Sequence, residues 1–244
     1  MANKQHINEM TFISTKHYSV GDVVFEGIPI VYVVEDEKKG HHCDYCLKGN
    51  DSLMHCSKCH EMHYCGKTCQ QKDWKYHKNE CQVYASHRFK MWLAPAMERL
   101  LIRLYLCSKA DEKFGSRKYP HMDGTQVCLN DVLQNIKDTN PSGFHTASIH
   151  SSFCLKFKRY NMKFNSKDML RYTTLICSRE HVLSLRSFSG VLSEVNPKPP
   201  ILVDIGMAVV LSNLEMRHSC DSNTVVVTKG IKNCEIIFKL NQKQ

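Results

Sequence analysis

The sequence predicts an α+β fold with a zinc-dependent module set into it, and three observations carry that expectation. Residues 23 to 34 alternate in a β-branched pattern, and residues 93 to 108 repeat apolar side chains at helical spacing. Between them, the window from 43 to 81 holds seven cysteines and a histidine at ligand spacing. A chain of 244 residues can bury one good core, or one core plus a small satellite module. Its hydrophobic share of 42% is that of an ordinary globular protein, which argues against wholesale disorder.

In chain order, the opening "MANKQHINEM" is polar and has no apolar h-region, so no secretory signal is expected. A turn at Val20, Gly21 and Asp22 leads into two short strands between Val23 and Val34. After the cysteine window, "LAPAMERLLIRLYLCSK" predicts a helix near 93 to 108 that ends in a basic turn. Further helices are expected around 127 to 138, 145 to 157 and 166 to 176. The Pro-rich "NPKPP" at 196 to 200 reads as a surface loop leading into a strand at Ile201. Strands are expected from Thr224 to Thr228 and from Cys234 to Leu240. The most apolar stretch, "ILVDIGMAVVL" from Ile201, is too short to cross a bilayer and contains Asp204. The expectation is a soluble intracellular protein with no membrane partner, in nucleus or cytoplasm or both, since no run of basic residues decides between them.

Cysteine usage fits that compartment. Thirteen is an odd number, and more than half of the cysteines crowd into one window, unlike a dispersed disulfide framework. Outside it, Cys107, Cys128, Cys154, Cys177, Cys220 and Cys234 are scattered. All but Cys220 read as small apolar core residues.

The window parses as four pairs: Cys43 and Cys46, Cys56 and Cys59, Cys65 and Cys69, His77 and Cys81. A CxxC knuckle brings two thiolates toward one point, and CxxxC or HxxxC places positions i and i+4 on one helical face. Eight ligands in pairs make two closed tetrahedral sites, so both zinc ions are expected to be structural, with no open position for a reacting water. So short a module has too few large apolar side chains to fold on a core alone, and zinc supplies about 10 kcal/mol per structural site. His41, His42, His55, His60 and His63 break the pair pattern and read as surface residues. Spacing alone leaves open which pairs share an ion.

Tyr64 before Cys65, and the "CQQKDWKYHKNEC" ending with Trp74, His77, Lys78 and Cys81, resemble the MYND zinc finger. The resemblance implies an interleaved arrangement, with Cys43, Cys46, Cys65 and Cys69 on one zinc and Cys56, Cys59, His77 and Cys81 on the other. It also implies a protein or peptide partner, often one with a proline-containing motif. The formal charge of +9 falls to about +6 once two Zn²⁺ and seven thiolates are counted. Lys48, Lys58, Lys67, Lys72, Lys75 and Lys78 keep the finger basic, which reads as a solvated lysine face; nucleic acid is disfavoured as a partner.

Farther on, "IGMAVVLSNLEMRHSCDSNTVVV" resembles the SET-domain signature, an Asn-His-Ser-Cys run followed shortly by Pro-Asn. Strands, a MYND finger, a helical stretch and a SET signature, in that order, resemble the SET-and-MYND lysine methyltransferases. The fold implied is a split β-rich SET-like domain with an inserted MYND double-zinc finger and a helical segment. Its parts would be N-terminal strands at 1–40, the finger at 43–81, a helical insert region at 82–180 and a C-terminal SET-like part at 181–244.

Methyl transfer from S-adenosylmethionine requires a neutral lysine, whose ordinary pKa is about 10.4, so the site must desolvate it and ring it with fixed oxygens. In the family a late tyrosine serves that purpose, and no tyrosine follows Tyr172 here. The expectation is thus an incomplete C-terminal part, in a truncated and divergent member with no catalytic residue assigned, whose strands near 224 and 235 leave an open edge. Glu9, Met10 and Thr11 stand where the family has Gly-x-Gly, Arg217 replaces the signature asparagine, and Ser178 replaces another. Side chains at the glycine positions crowd the cofactor's methionine tail, and Arg217 cannot accept a hydrogen bond. His218 and Ser219 match the signature and are the candidate cofactor contacts. The resulting expectation is a zinc-binding interaction or regulatory protein on a SET-like scaffold without methyltransferase activity. The alternative is an S-adenosylmethionine-dependent protein (histone) lysine methyltransferase.

Overall fold

The computed structural model describes residues 17–87, 95–136, 144–159, 162–177, 182–189, 201–211, 224–229 and 235–240. The expected first turn is present: Gly21 takes φ +93°, a conformation glycine adopts without steric cost, and the Asp22 amide donates to the Ser19 carbonyl at 3.0 Å. Strands β1 (Val23–Gly27) and β2 (Val31–Val34) follow. Every residue of β2 is buried, and its alternating side chains enter two different cores. Val31 and Val33 point to one, Tyr32 and Val34 to the other, as the period-2 geometry of a strand requires.

The finger contributes a short hairpin, β3 (Met54–His55) with β4 (His63–Tyr64), and then a helix, α1 (Lys67–His87). Its 21 residues run without a break past Cys81, so one helix crosses the expected boundary between finger and helical region. Next come α2 (Ala96–Ala110), α3 (Glu112–Ser116), a small hairpin of β5 (Tyr119–Pro120) and β6 (Gln126–Val127), and α4 (Leu129–Asn135). Helices α5 (Phe144–Arg159) and α6 (Ser166–Cys177) complete this part. The last strands are β7 (Val182–Ser189), β8 (Ile201–Val209), β9 (Thr224–Lys229) and β10 (Glu235–Leu240).

Both early strands pair with late ones. The order β1-β10-β9 makes one antiparallel sheet, with Val23 opposite Lys239, and β2-β8-β7 makes another, with Val34 opposite Gly206. Of the two strands expected to leave an open edge, β10 is interior. It is paired on one side by β1 and on the other by β9, because the N-terminal strand supplies the missing neighbour.

Helix α2 is the hub. From Arg99 to Leu104 six successive residues are buried, so the helix is covered all round, by α1, by α6 and by the β2-β8 pair. Leu100, Leu101, Ile102 and Leu104 are wholly buried, each contributing about 1.5–3 kcal/mol from apolar burial. Tyr105 packs edge-on against Phe157 of α5 and Tyr172 of α6, with ring centroids 5.8 and 5.3 Å away. Among the described residues no helix is long and apolar enough to cross a membrane.

Candidate metal centre

The two CxxC knuckles close in the same way. After Cys43, the amide of Leu47 returns to the Cys43 carbonyl at 2.9 Å, and after Cys56, the amide of His60 returns to the Cys56 carbonyl at 2.9 Å. Leu47 and His60 both take the left-handed region, with φ 61° and 62°, a strained choice for residues with a Cβ. The β3–β4 hairpin sets the second knuckle beside Cys65, and α1 supplies the remaining ligand positions. Cys69 lies in its first turn, while His77 and Cys81 lie one turn apart farther along. His77 lies eight positions after Cys69 on the helix, roughly 12 Å of rise, so one rod reaches both centres.

The side chains gather as Cys43, Cys46, Cys65 and Cys69 in one set and Cys56, Cys59, His77 and Cys81 in the other, with the ligand atoms of each set within 4.8 Å of one another. Each set could hold a metal ion, and the pairs interleave. Tetrahedral zinc holds two sulfurs about 3.8 Å apart, and a sulfur and a nitrogen about 3.5 Å apart. Here Cys46 and Cys65 Sγ stand at 3.6 Å, Cys56 and Cys81 Sγ at 3.8 Å, and Cys59 Sγ lies 3.5 Å from His77 Nε2. These spacings fit ligands of one ion and are far too long for disulfides. Burial, and next the Cys59 and Cys56 sulfurs, push the Cys81 thiol up to about 12, and burial carries Cys43 well above the usual thiol range. At Cys43 and Cys81 the thiolate is therefore favoured by a bound cation. Among the described residues neither set has a fifth donor, and the finger accommodates two structural zinc ions.

A buried polar network lies against the second set. His77 Nδ1 is 3.4 Å from Glu80 Oε1, which leaves Nε2 free to face the sulfurs. Arg103 of α2 donates through Nε to Glu80 at 3.1 and 3.2 Å, and through Nη1 and Nη2 to Asp73 at 3.3 Å each. Its Nη1 also reaches the Tyr32 carbonyl at 3.1 Å, and Tyr64 donates to Asp73 at 2.8 Å. Burial opposes charge on Glu80, but Arg103 and His77 outweigh it and hold the carboxyl down to about 2. Asp73, desolvated and facing Glu80, is pushed up despite Arg103. Near the first set, Lys39 Nζ donates to both Asp44 oxygens at 2.7 Å, and the His63 amide donates to Asp44 at 2.6 Å.

Sequence reasoning missed this network. Asp73, His77 and Glu80 stand at i, i+4 and i+7, one face of a helix, and Arg99 and Arg103 are four apart within an apolar run. Both spacings were readable signals. Of the histidines expected at the surface, His41 and His55 are exposed, but His42, His60 and His63 are partly buried. Cys107 and Cys128 are buried and Cys154 and Cys177 are partly buried. The candidate cofactor contacts His218 and Ser219 lie outside the described residues, as do Glu9, Ser178, Arg217, Cys220 and Cys234.

Two interleaved metal sets braced by one helix define a double-zinc finger inserted between paired strands. The MYND finger family model matches residues 43–81. The chain is 38% identical over 217 residues to N-lysine methyltransferase SMYD2 of Homo sapiens, covering 87% of this chain and 45% of that protein. It is likewise 38% identical over 217 residues to histone-lysine N-methyltransferase SMYD3 of Mus musculus, covering 86% and 45%. Against N-lysine methyltransferase SMYD2-B of Xenopus laevis it is 32% identical over 228 residues, covering 89% and 46%. The chain is a SET-and-MYND-type protein, a SET-like scaffold with a MYND insert. It spans about half the length of the curated relatives it matches.

Proposed function

We propose that this chain is a zinc-stabilised protein-interaction module, carried on a SET-like scaffold and acting without methyltransferase activity. One zinc is held by Cys43, Cys46, Cys65 and Cys69, the other by Cys56, Cys59, His77 and Cys81. The observation that carries this reading is Trp74, which lies on the finger helix yet is 45% exposed, beside His77 and between the exposed Lys67 and Lys78. A large ring left in water next to a buried metal centre is a ready anchor for a peptide. The partner class is a protein or peptide, a proline-containing motif being the first choice, with the module at work inside the cell, in nucleus or cytoplasm. Its parts are the N-terminal SET-like strands at 1–40, the finger at 43–81, the helical region at 82–180 and the C-terminal SET-like part at 181–244. Titrating a labelled proline-containing peptide should give saturable binding that Trp74→Ala abolishes while two zinc ions remain bound. Equal binding by the Trp74→Ala protein would overturn the docking reading.

A second reading, an S-adenosylmethionine-dependent protein lysine methyltransferase, is favoured by two relatives 38% identical over 217 residues that are lysine methyltransferases. Glu9 and Arg217 weigh against ordinary cofactor binding, and His218 and Ser219 would be its contacts. Calorimetric titration of S-adenosylmethionine into the zinc-loaded protein separates the two. A dissociation constant near ~10 μM, about −7 kcal/mol, supports the enzyme, and no heat at millimolar ligand supports the interaction module.

A further inference from the structure

We propose that Arg103, which lies outside the finger, is a positioning residue for the Cys56, Cys59, His77 and Cys81 centre. By clamping Glu80 against His77, it couples metal retention at that centre to docking of α1 on α2. Arg103 makes no such clamp at the Cys43, Cys46, Cys65 and Cys69 centre among the described residues. The inference rests on the ligand assignment proposed above.

Three observations support it. Arg103, Glu80, Asp73 and His77 are all buried, so their interactions are not screened by water. Glu80 is shared: its Oε1 faces both His77 Nδ1, at 3.4 Å, and Arg103 Nε, at 3.1 Å. Zinc with three thiolates and a neutral imidazole has a net charge of about −1. A bare Glu80 carboxylate beside that centre would add a second negative charge, and Arg103 is the cation that allows it to stay and orient the imidazole. The buried ion pair near the other centre joins Lys39, just before the finger, to Asp44 within it, and the hydrogen bonds of Lys39 go to Asp44 and Met62. The coupling is reciprocal: whatever docking adds to metal affinity, metal adds to docking.

Cadmium replacement tests this, because ¹¹³Cd resonances separate a four-sulfur site from one with three sulfurs and a nitrogen. The wild-type chain should take up two ions and show both signals. In Arg103→Met the mixed-ligand signal should shift, and its ion should pass to a chromogenic chelator roughly 10–100-fold faster, while the four-sulfur site is unchanged. Arg99→Met is the control, because Arg99 is equally buried on α2 but holds the Val34 carbonyl and Asp36, at 2.8 and 2.7 Å. It should lower the thermal midpoint and leave both release phases at wild-type rates. Wild-type release of both ions from Arg103→Met, or equal acceleration by Arg99→Met, overturns the coupling. If Arg103→Met does not fold, Glu80→Gln carries the same measurement: selective acceleration supports the proposal and unchanged release overturns it. Uptake of fewer than two ions by the wild-type chain would instead refute the ligand assignment and with it the proposal.

Discussion

The finger and the helical core around α2 are both well buried, but they are held by different forces. In the finger the buried positions are mostly ligand sulfurs and polar groups, among them Cys43, Cys56, Cys59, Asp73, His77, Glu80 and Cys81. In the helical core they are Leu100, Leu101, Leu104, Phe157, Met169 and Leu175. The first set gains little from leaving water and depends on a cation, whereas the second gains from every methylene removed from solvent. One chain thus contains a region whose stability follows metal supply and a region whose stability follows packing.

The strongest way to break this contrast is to remove the metal. Chelation should cost the finger about 10 kcal/mol per site, and hydrogen exchange should show protection lost across 43 to 81 but retained in α5 and α6. Loss in both regions together would mean that they are one cooperative unit. Next in size, Leu104→Ala should destabilise the core by about 2–5 kcal/mol in denaturant melts, with zinc content unchanged at two per chain. A smaller effect is expected at the sheet beneath α2. A Cβ at Gly206 would collide with the Val33 backbone carbonyl, so Gly206→Ala should cost about 1–3 kcal/mol, read as a fall in the denaturation midpoint. Smallest of all, Tyr172→Phe removes the hydroxyl that donates to Ser108 Oγ at 2.7 Å and should cost about 0.5–1.5 kcal/mol in the same melts, again without loss of zinc.

The same contrast decides what could be read in advance. Ligand spacing is a local property, and the eight positions of the two sets were legible residue by residue, as was the hub helix with its periodic leucines. Helix α1 was not legible as a whole, because its ligands, lysines and glutamines dilute any apolar stripe. Only the two ligand turns at its start and middle were visible. Strand β7 was missed because "VLSLRSFS" intersperses serines and an arginine among its apolar residues, and it gains definition from pairing with β8. The partners of Arg103 were the least accessible feature, although its place in an apolar run signals that it is buried. Its partners Asp73 and Glu80 lie in another element and Tyr32 in a third, so nothing near Arg103 in sequence announces where its charge is matched.

The pairing of β1 with β10 also bears on how the chain is made. Val23 and Lys239 are neighbours whose codons lie roughly 200 positions apart, a separation that slows folding through the entropy of closing so long a loop. All eight ligand positions of the finger are synthesised by residue 81, and Arg103, which clamps Glu80, follows on α2. Strand β2 must wait for β8, roughly ten to thirty seconds of synthesis at 5–20 residues per second. Throughout that interval an apolar strand waits unpaired beside a finger whose ligand positions are all in place, so the two regions of one chain mature on different clocks.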